Sequence, residues 1–225
     1  GYPGSQGPGA ASLTARYGGG GYGGKGGWGD QGPGGVTNGS VHQPMSPGSG
    51  GANGSSGGAG GGVIWIQASG TADVKGVITA RGNNGATYSG GGSGGSIFLQ
   101  CGVLTGTTNG LLTAAGGNGG ANAGGGGGGR IAVDYQVLGE NCAVRFSTAP
   151  GSGWGDSNPQ AYGWFRGSGW GSLSLPDGTY VTTAPPSNRF DRVALYFRDI
   201  SAWAIESLNI EHNRLVFATP DLQMT

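Results

Sequence analysis

Two histidines, eleven acidic residues, two cysteines and six tryptophans are the main chemical resources of this 225-residue chain. His42 and His212 lie far apart, in neither a Ser-His-Asp nor a metal-ligand spacing. His212 falls on the expected outer face or turn of the last hairpin, where a solvated side chain is the simpler reading. Paired carboxylates would suit glycoside hydrolysis at separations of roughly 5–10 Å, and Asp156, Asp177, Asp191 and Asp199 are the candidates. Asp177-Gly178 reads first as a turn. Asp191 and Asp199 flank a strand beside Arg192 and Arg198, so surface pairing is expected for both. Calcium would need several oxygens, but Gly27-Trp28-Gly29-Asp30 supplies one acid, and Asp156-Ser157-Asn158 would need partners. A phosphate loop needs a strand-to-helix context that Lys25 lacks. The expectation is a chain with no catalytic residue, no metal and no cofactor, and not an enzyme.

Binding is a better prospect than catalysis. Trp154, Tyr162, Trp164 and Trp170 lie in glycine-rich, loop-like sequence and could stack on sugar rings. Their competing role is to plug the end or side of a narrow core, at about 1.5–3 kcal/mol each. Cys101 and Cys142 are either a disulfide or two separate buried thiols. Asn38-Gly39-Ser40 and Asn53-Gly54-Ser55 fit the N-glycosylation pattern at Asn38 and Asn53, in expected loops.

The elements that must position these residues are written in glycine. Fifty-seven residues are glycine, in runs such as Gly18–Gly29, Gly57–Gly62, Gly90–Gly95 and Gly124–Gly129. Glycine carries the largest backbone entropy cost on folding, so such runs imply places where only glycine fits. Between them stand apolar bursts: Val63-Ile64-Trp65-Ile66, Ile97-Phe98-Leu99 and Ile131-Ala132-Val133. These bursts belong to a repeat. Val63–Gln67 aligns with Ser96–Gln100 at an offset of 33, and Val77–Ala80 with Leu111–Ala114 at 34. A partial third copy, Gly129–Tyr135, begins 34 residues on. Each unit therefore reads strand, turn, strand, glycine-rich excursion, and a fixed period of this length predicts stacked units.

The glycine runs have a shorter period as well. Tyr22, Lys25 and Trp28 each follow a Gly-Gly pair. A period of three is that of a polyproline-II-type helix, and glycine at two positions in three lets such helices pack side by side. That backbone has no internal hydrogen bonds, so neighbouring segments must satisfy one another.

The texture changes near residue 139. We divide the chain into a glycine-rich repeat domain over 1–138, with units of about 62–95 and 95–129. A strand-rich continuation over 139–225 carries a Trp/Gly-rich loop at 151–171. Leu173–Thr182 and Val193–Phe197 read as strands. Ser207–Phe217 reads as a hairpin with Leu208, Ile210, Leu215 and Phe217 inward and its turn at Asn213-Arg214. Ala202–Leu208 could form one helical turn, and no longer segment is helical. The fold expected is all-β: a glycine-rich β-solenoid, or β-helix-like stack of short strands, with packed polyglycine-II segments.

The ordered series of Gly18–Gly27, Gly48–Gly51, Gly60–Ile66, Gly90–Phe98 and Gly124–Tyr135 resembles the glycine-rich repeat regions of large secreted and cell-surface, adhesin-like proteins. Leu208–Leu222 is similar to the β-solenoid coils that often follow them. The resemblance covers roughly residues 1–135 well and residues 142–192 depart from it. It implies an extracellular structural or adhesive role and transfers no catalytic residue.

Charge narrows the partners. Charged residues make up 10% of the chain and the formal net charge is zero, which argues against nucleic acid or an anionic membrane. No apolar run approaches the ~20 residues of a membrane span. A start at Gly1 and an end in Pro220–Thr225, which reads as a new strand, suggest a processed or excised chain whose ends are completed by other copies. The function expected is a subunit or segment of an extracellular fibre, filament or surface layer. The alternatives are a glycan-binding adhesin domain, then a polysaccharide-active β-helix enzyme, then an ice-binding protein using Thr79 and Thr113.

Overall fold

A computed structural model describes residues 1–12, 17–53, 56–157, 166–182, 189–198, 202–203, 213–215 and 223–224. It is mostly β, with two parallel sheets and very little helix. The first sheet runs β1 (Val63–Val74), β3 (Ser96–Gly106), β5 (Arg130–Leu138), β7 (Gly171–Leu175), β9 (Val193–Phe197) and β11 (Arg214–Leu215). The second runs β2 (Val77–Thr79), β4 (Leu111–Thr113), β6 (Arg145–Ser147) and β8 (Phe190–Asp191). A separate pair joins β10 (Ala202–Trp203) to β12 (Gln223–Met224).

The sequence repeat is the pairing register. Val63 sits opposite Ser96, Ile97 opposite Ile131, and Val77 opposite Leu111. Both sheets also run across residue 139, so the change of texture there is no break in the architecture. Strand alternation sends Ile97, Leu99, Ile131, Val133, Leu173 and Leu175 inward, where they join Leu112 and Phe146 of the second sheet in one core. Each such side chain contributes roughly 1.5–3 kcal/mol by burial. Phe146, Tyr180 and Phe190 close one part of this core with ring centroids 5.4–6.1 Å apart, and the Tyr180 hydroxyl donates to the Val144 carbonyl.

The glycine runs are ordered by hydrogen bonds to one another. Along 90–95, Gly90 and Ser93 donate to Ala52 and Ser49, Gly91 and Gly94 to Gly124 and Gly127, and Gly92 and Gly95 to Asn83 and Ala80. Successive peptide groups thus face three different neighbours, and every third returns to the same one. Close approach explains the residue type: a Cβ on Gly92 would overlap the carbonyl oxygen of Ala59, and one on Gly126 that of Gly92.

Three local expectations are corrected. Leu173–Thr182 is not one strand: β7 stops at Leu175, and Thr179–Thr182 form a single helical turn, α2. Pro176 lacks an N–H, and Asp177 Oδ1 accepts the Thr179 N–H at 2.9 Å as a cap. Asn213-Arg214 is not a hairpin turn, because Arg214 and Leu215 pair in parallel with Ala194 and Leu195. Ala202–Trp203 is strand rather than helical turn. The remaining residues of both segments lie outside those described.

Candidate functional site

Two surfaces stand out, one at an end of the stack and one on its flank. The end is β1. Among the described residues it pairs on one side only, with β3. The Ser96 N–H donates to the Gly62 carbonyl, so in the alternating parallel ladder Val63, Trp65 and Gln67 turn their peptide groups to the open edge. Their inward neighbours Ile64, Ile66, Ala68 and Ala72 are half-buried, whereas Ile97 and Leu99 one strand further in are at most 1% exposed. Val63 and Trp65 are each 42% exposed and Val77 63%. Trp65 leans on Phe98, with centroids 4.7 Å apart.

The flank is the outer face of the second sheet. Its outward rows are Val77, Leu111 and Arg145, then Thr79, Thr113, Ser147 and Asp191. The equivalence of Thr79 and Thr113 in the repeat therefore holds in space. Arg81, Arg145 and Arg192 line a groove of 420 Å3 on this face, with Asn118 and Ser152. An asparagine ladder joins Asn118 and Ser152 to Asn84, one unit apart: the Asn118 N–H donates to Asn84 Oδ1 at 2.8 Å, and the Ser152 N–H to Asn118 Oδ1 at 3.0 Å. Ser152 also borders a shallow hollow of 300 Å3 that holds Trp154 and Asn122.

The tryptophan-rich segment is brought together only in part. Trp154 opens α1 (Trp154–Ser157) and is half-buried in that hollow. Trp170 is half-buried just before β7 and does not line it. Tyr162 and Trp164 lie outside the described residues. Asn38 is half-buried, and its amide Nδ2 reaches Gly21 and Val36 carbonyls at 3.4 Å. Asn53 is exposed, with φ +88°, and its Nδ2 donates to Tyr88 O and Ser89 Oγ.

The possible disulfide is not formed: Cys101 and Cys142 are buried free thiols. Burial pushes both above the ordinary thiol range. The carboxylates are occupied individually rather than paired. Asp156 accepts from the Gly153 and Ser168 N–H groups. Asp177 accepts from the Tyr135 hydroxyl at 3.1 Å, and burial with that neighbouring charge pushes the Tyr135 hydroxyl well above its ordinary range. Asp191 accepts from Ser147 and pairs with Arg192, as the sequence suggested, whereas Arg198 pairs with Asp134 at 3.1 Å. Asp199 and His212 lie outside the described residues. His42 Nδ1 meets Ser174 Oγ at 2.8 Å on the outer face of the first sheet.

Sequence reading missed the three arginines of the groove. Only Arg145 had a usable signal, its place in the 34-residue row behind Val77 and Leu111, and that row carries apolar residues at the other two positions. No family model, curated protein or solved structure matches the chain. Among the described residues, no helix is long and apolar enough to cross a membrane.

Proposed function

We propose that this chain is a structural subunit of an extracellular filament, fibre or surface layer, built as a β-solenoid braced by polyglycine-II helices. The open edge of β1 carries the proposal. A twelve-residue parallel strand with outward peptide groups and a half-covered apolar face is a template for another strand. The occupant that fits is a second copy, since only another parallel stack continues both sheets and covers Ile64, Ile66 and Ile78 together. The three-way hydrogen bonding of residues 90–95 supports the polyglycine-II reading, because a helix of three residues per turn presents its peptide groups in three directions. Stacked units that each bury a neighbour's face suit a load-bearing role. The resemblance to glycine-rich secreted and cell-surface proteins supports an extracellular location. The proposed role is mechanical and needs no catalysis.

Negative-stain electron microscopy of the purified chain over a concentration series tests this reading. Uniform filaments are expected at high concentration. They should be lost in Gln67→Pro, which removes an outward N–H at an edge position that tolerates proline. A monodisperse wild-type monomer at every concentration would overturn the proposal, as would unchanged filaments in the variant.

A further inference from the structure

The groove on the second sheet concentrates charge that the chain does not neutralise. Arg192 Nε pairs with Asp191 Oδ1 at 3.0 Å, and the other oxygen of Asp191 accepts from Ser147. Among the described residues neither Arg81 nor Arg145 has an ion-pair partner. Arg81 is exposed, while the Arg145 Nε is buried and lacks a hydrogen-bond partner. That donor finds no acceptor among the described residues, so the Arg145 charge is not offset there. The groove therefore has two uncompensated positive charges on a chain whose formal net charge is zero.

The rest of the lining selects the kind of anion. Thr113, Ser147, Asn118 and Ser152 place hydroxyl and amide groups between the arginines. At Ser152 the groove meets the hollow of Trp154. Guanidinium forks match carboxylate and sulfate oxygens, hydroxyls and amides match sugar hydroxyls, and an indole offers an apolar face to a sugar ring. The groove also crosses β4, β6 and β8 at about 4.8 Å per strand, so an occupant would run along the stack. An acidic peptide adding by its backbone would need a strand edge, and this surface is a sheet face. Nucleic acid would ask for a longer basic track than two free arginines.

We propose that this flank binds an extended acidic polysaccharide, with Arg81 and Arg145 on its carboxylate or sulfate groups and Trp154 stacked on a sugar ring. Most of the groove spans β4, β6 and β8, and Arg81 at its end follows the edge strand β2. The site is present in a single copy of the chain, and it would recur along any filament.

Binding of the monomeric chain to immobilised polygalacturonate and dextran sulfate tests this, with unmodified dextran and single-stranded DNA alongside. Both acidic polymers, or either one, are expected to bind, more weakly as salt rises, and the tighter of the two identifies the anionic group. Arg81→Gln should weaken binding at least about threefold, and the double variant with Arg145→Gln at least about tenfold. Trp154→Ala should weaken it about threefold or more, and Lys75→Gln, at a residue that does not line the groove, should leave it unchanged. Arg81 is exposed, so its variant tests the site even if Arg145→Gln perturbs folding. The proposal is overturned if neither acidic polymer binds, if dextran binds equally, if Arg81→Gln has no effect, or if DNA binds at least as tightly.

Discussion

Arg130 donates from both Nε and Nη2 to the carbonyl oxygen of Asn38, at 2.9 and 2.8 Å, across 92 residues of sequence. Its Nη1 donates to Ser172 Oγ at 3.0 Å, and its guanidinium lies 5.5 Å from the Tyr22 ring centroid. Arg130 is 6% exposed. It ties the 38–46 segment across the outer face of the first sheet, where His42 meets Ser174 and the Ser46 carbonyl accepts from Ser96. Arg130→Ala should cost about 3 kcal/mol, since it strands a carbonyl and a hydroxyl and empties the space. Denaturant unfolding reads the loss. Hydrogen exchange should show residues 38–46 losing protection before the strands do.

Tyr22 reaches the same face from the glycine bundle. Ser96 Oγ donates to Ser46 O at 2.6 Å, so the Tyr22 hydroxyl is the donor in its 2.7 Å contact with Ser96. Tyr22→Phe keeps the ring and removes one buried donor, for an expected loss of about 1 kcal/mol. A loss under a few tenths by chemical denaturation would contradict a stabilising hydrogen bond between Tyr22 and Ser96.

The glycine bundle should be intolerant where backbones touch and tolerant elsewhere. Gly92→Ala and Gly126→Ala force a methyl group into a neighbouring carbonyl. Each should cost about 4 kcal/mol or more, or abolish folding. Gly70→Ala, in β1 with nothing within 4 Å of the added carbon, should stay within about 0.5 kcal/mol of wild type. Soluble yield and unfolding midpoints distinguish the two groups.

The buried thiols set a pH dependence. Burial raises the Cys101 and Cys142 pKa in the folded chain above the ordinary value of about 8.5. At pH above that value the unfolded chain has released protons that the folded chain still holds. Stability therefore falls as pH rises through the alkaline range, and is unaffected by these groups below it. Unfolding midpoints at pH 7 and pH 10 should show the drop, and Cys101→Ala with Cys142→Ala should reduce it. Alkylation of the native chain at neutral pH should be slow and become fast on unfolding.

Much of the architecture was legible because neighbouring units repeat. The 33- and 34-residue offsets became the strand registers of Val63 with Ser96 and Val77 with Leu111. The three-residue spacing of Tyr22, Lys25 and Trp28 called for neighbouring segments to satisfy one another's peptide groups, as the bonds of residues 90–95 do. Where the repeat faded the reading failed, as at Leu173–Thr182 and Asn213-Arg214, because the five-residue β7 is held by pairing with β5 and β9, and the two-residue β11 by pairing with β9, rather than by their own patterns.

What the amino-acid order determined by itself, then, was the unit and the period at which its strands pair, since both depend on contacts between equivalent residues one period apart. Only the tertiary structure decided which glycine segments lie beside one another, that Asn38 is held by Arg130, and that Arg81, Arg145, Arg192 and Trp154 share one flank. Those residues occupy non-equivalent places in their units. Their proximity follows from long-range packing that buries the core and pairs the peptide groups of neighbouring segments, and no local or periodic signal encodes it.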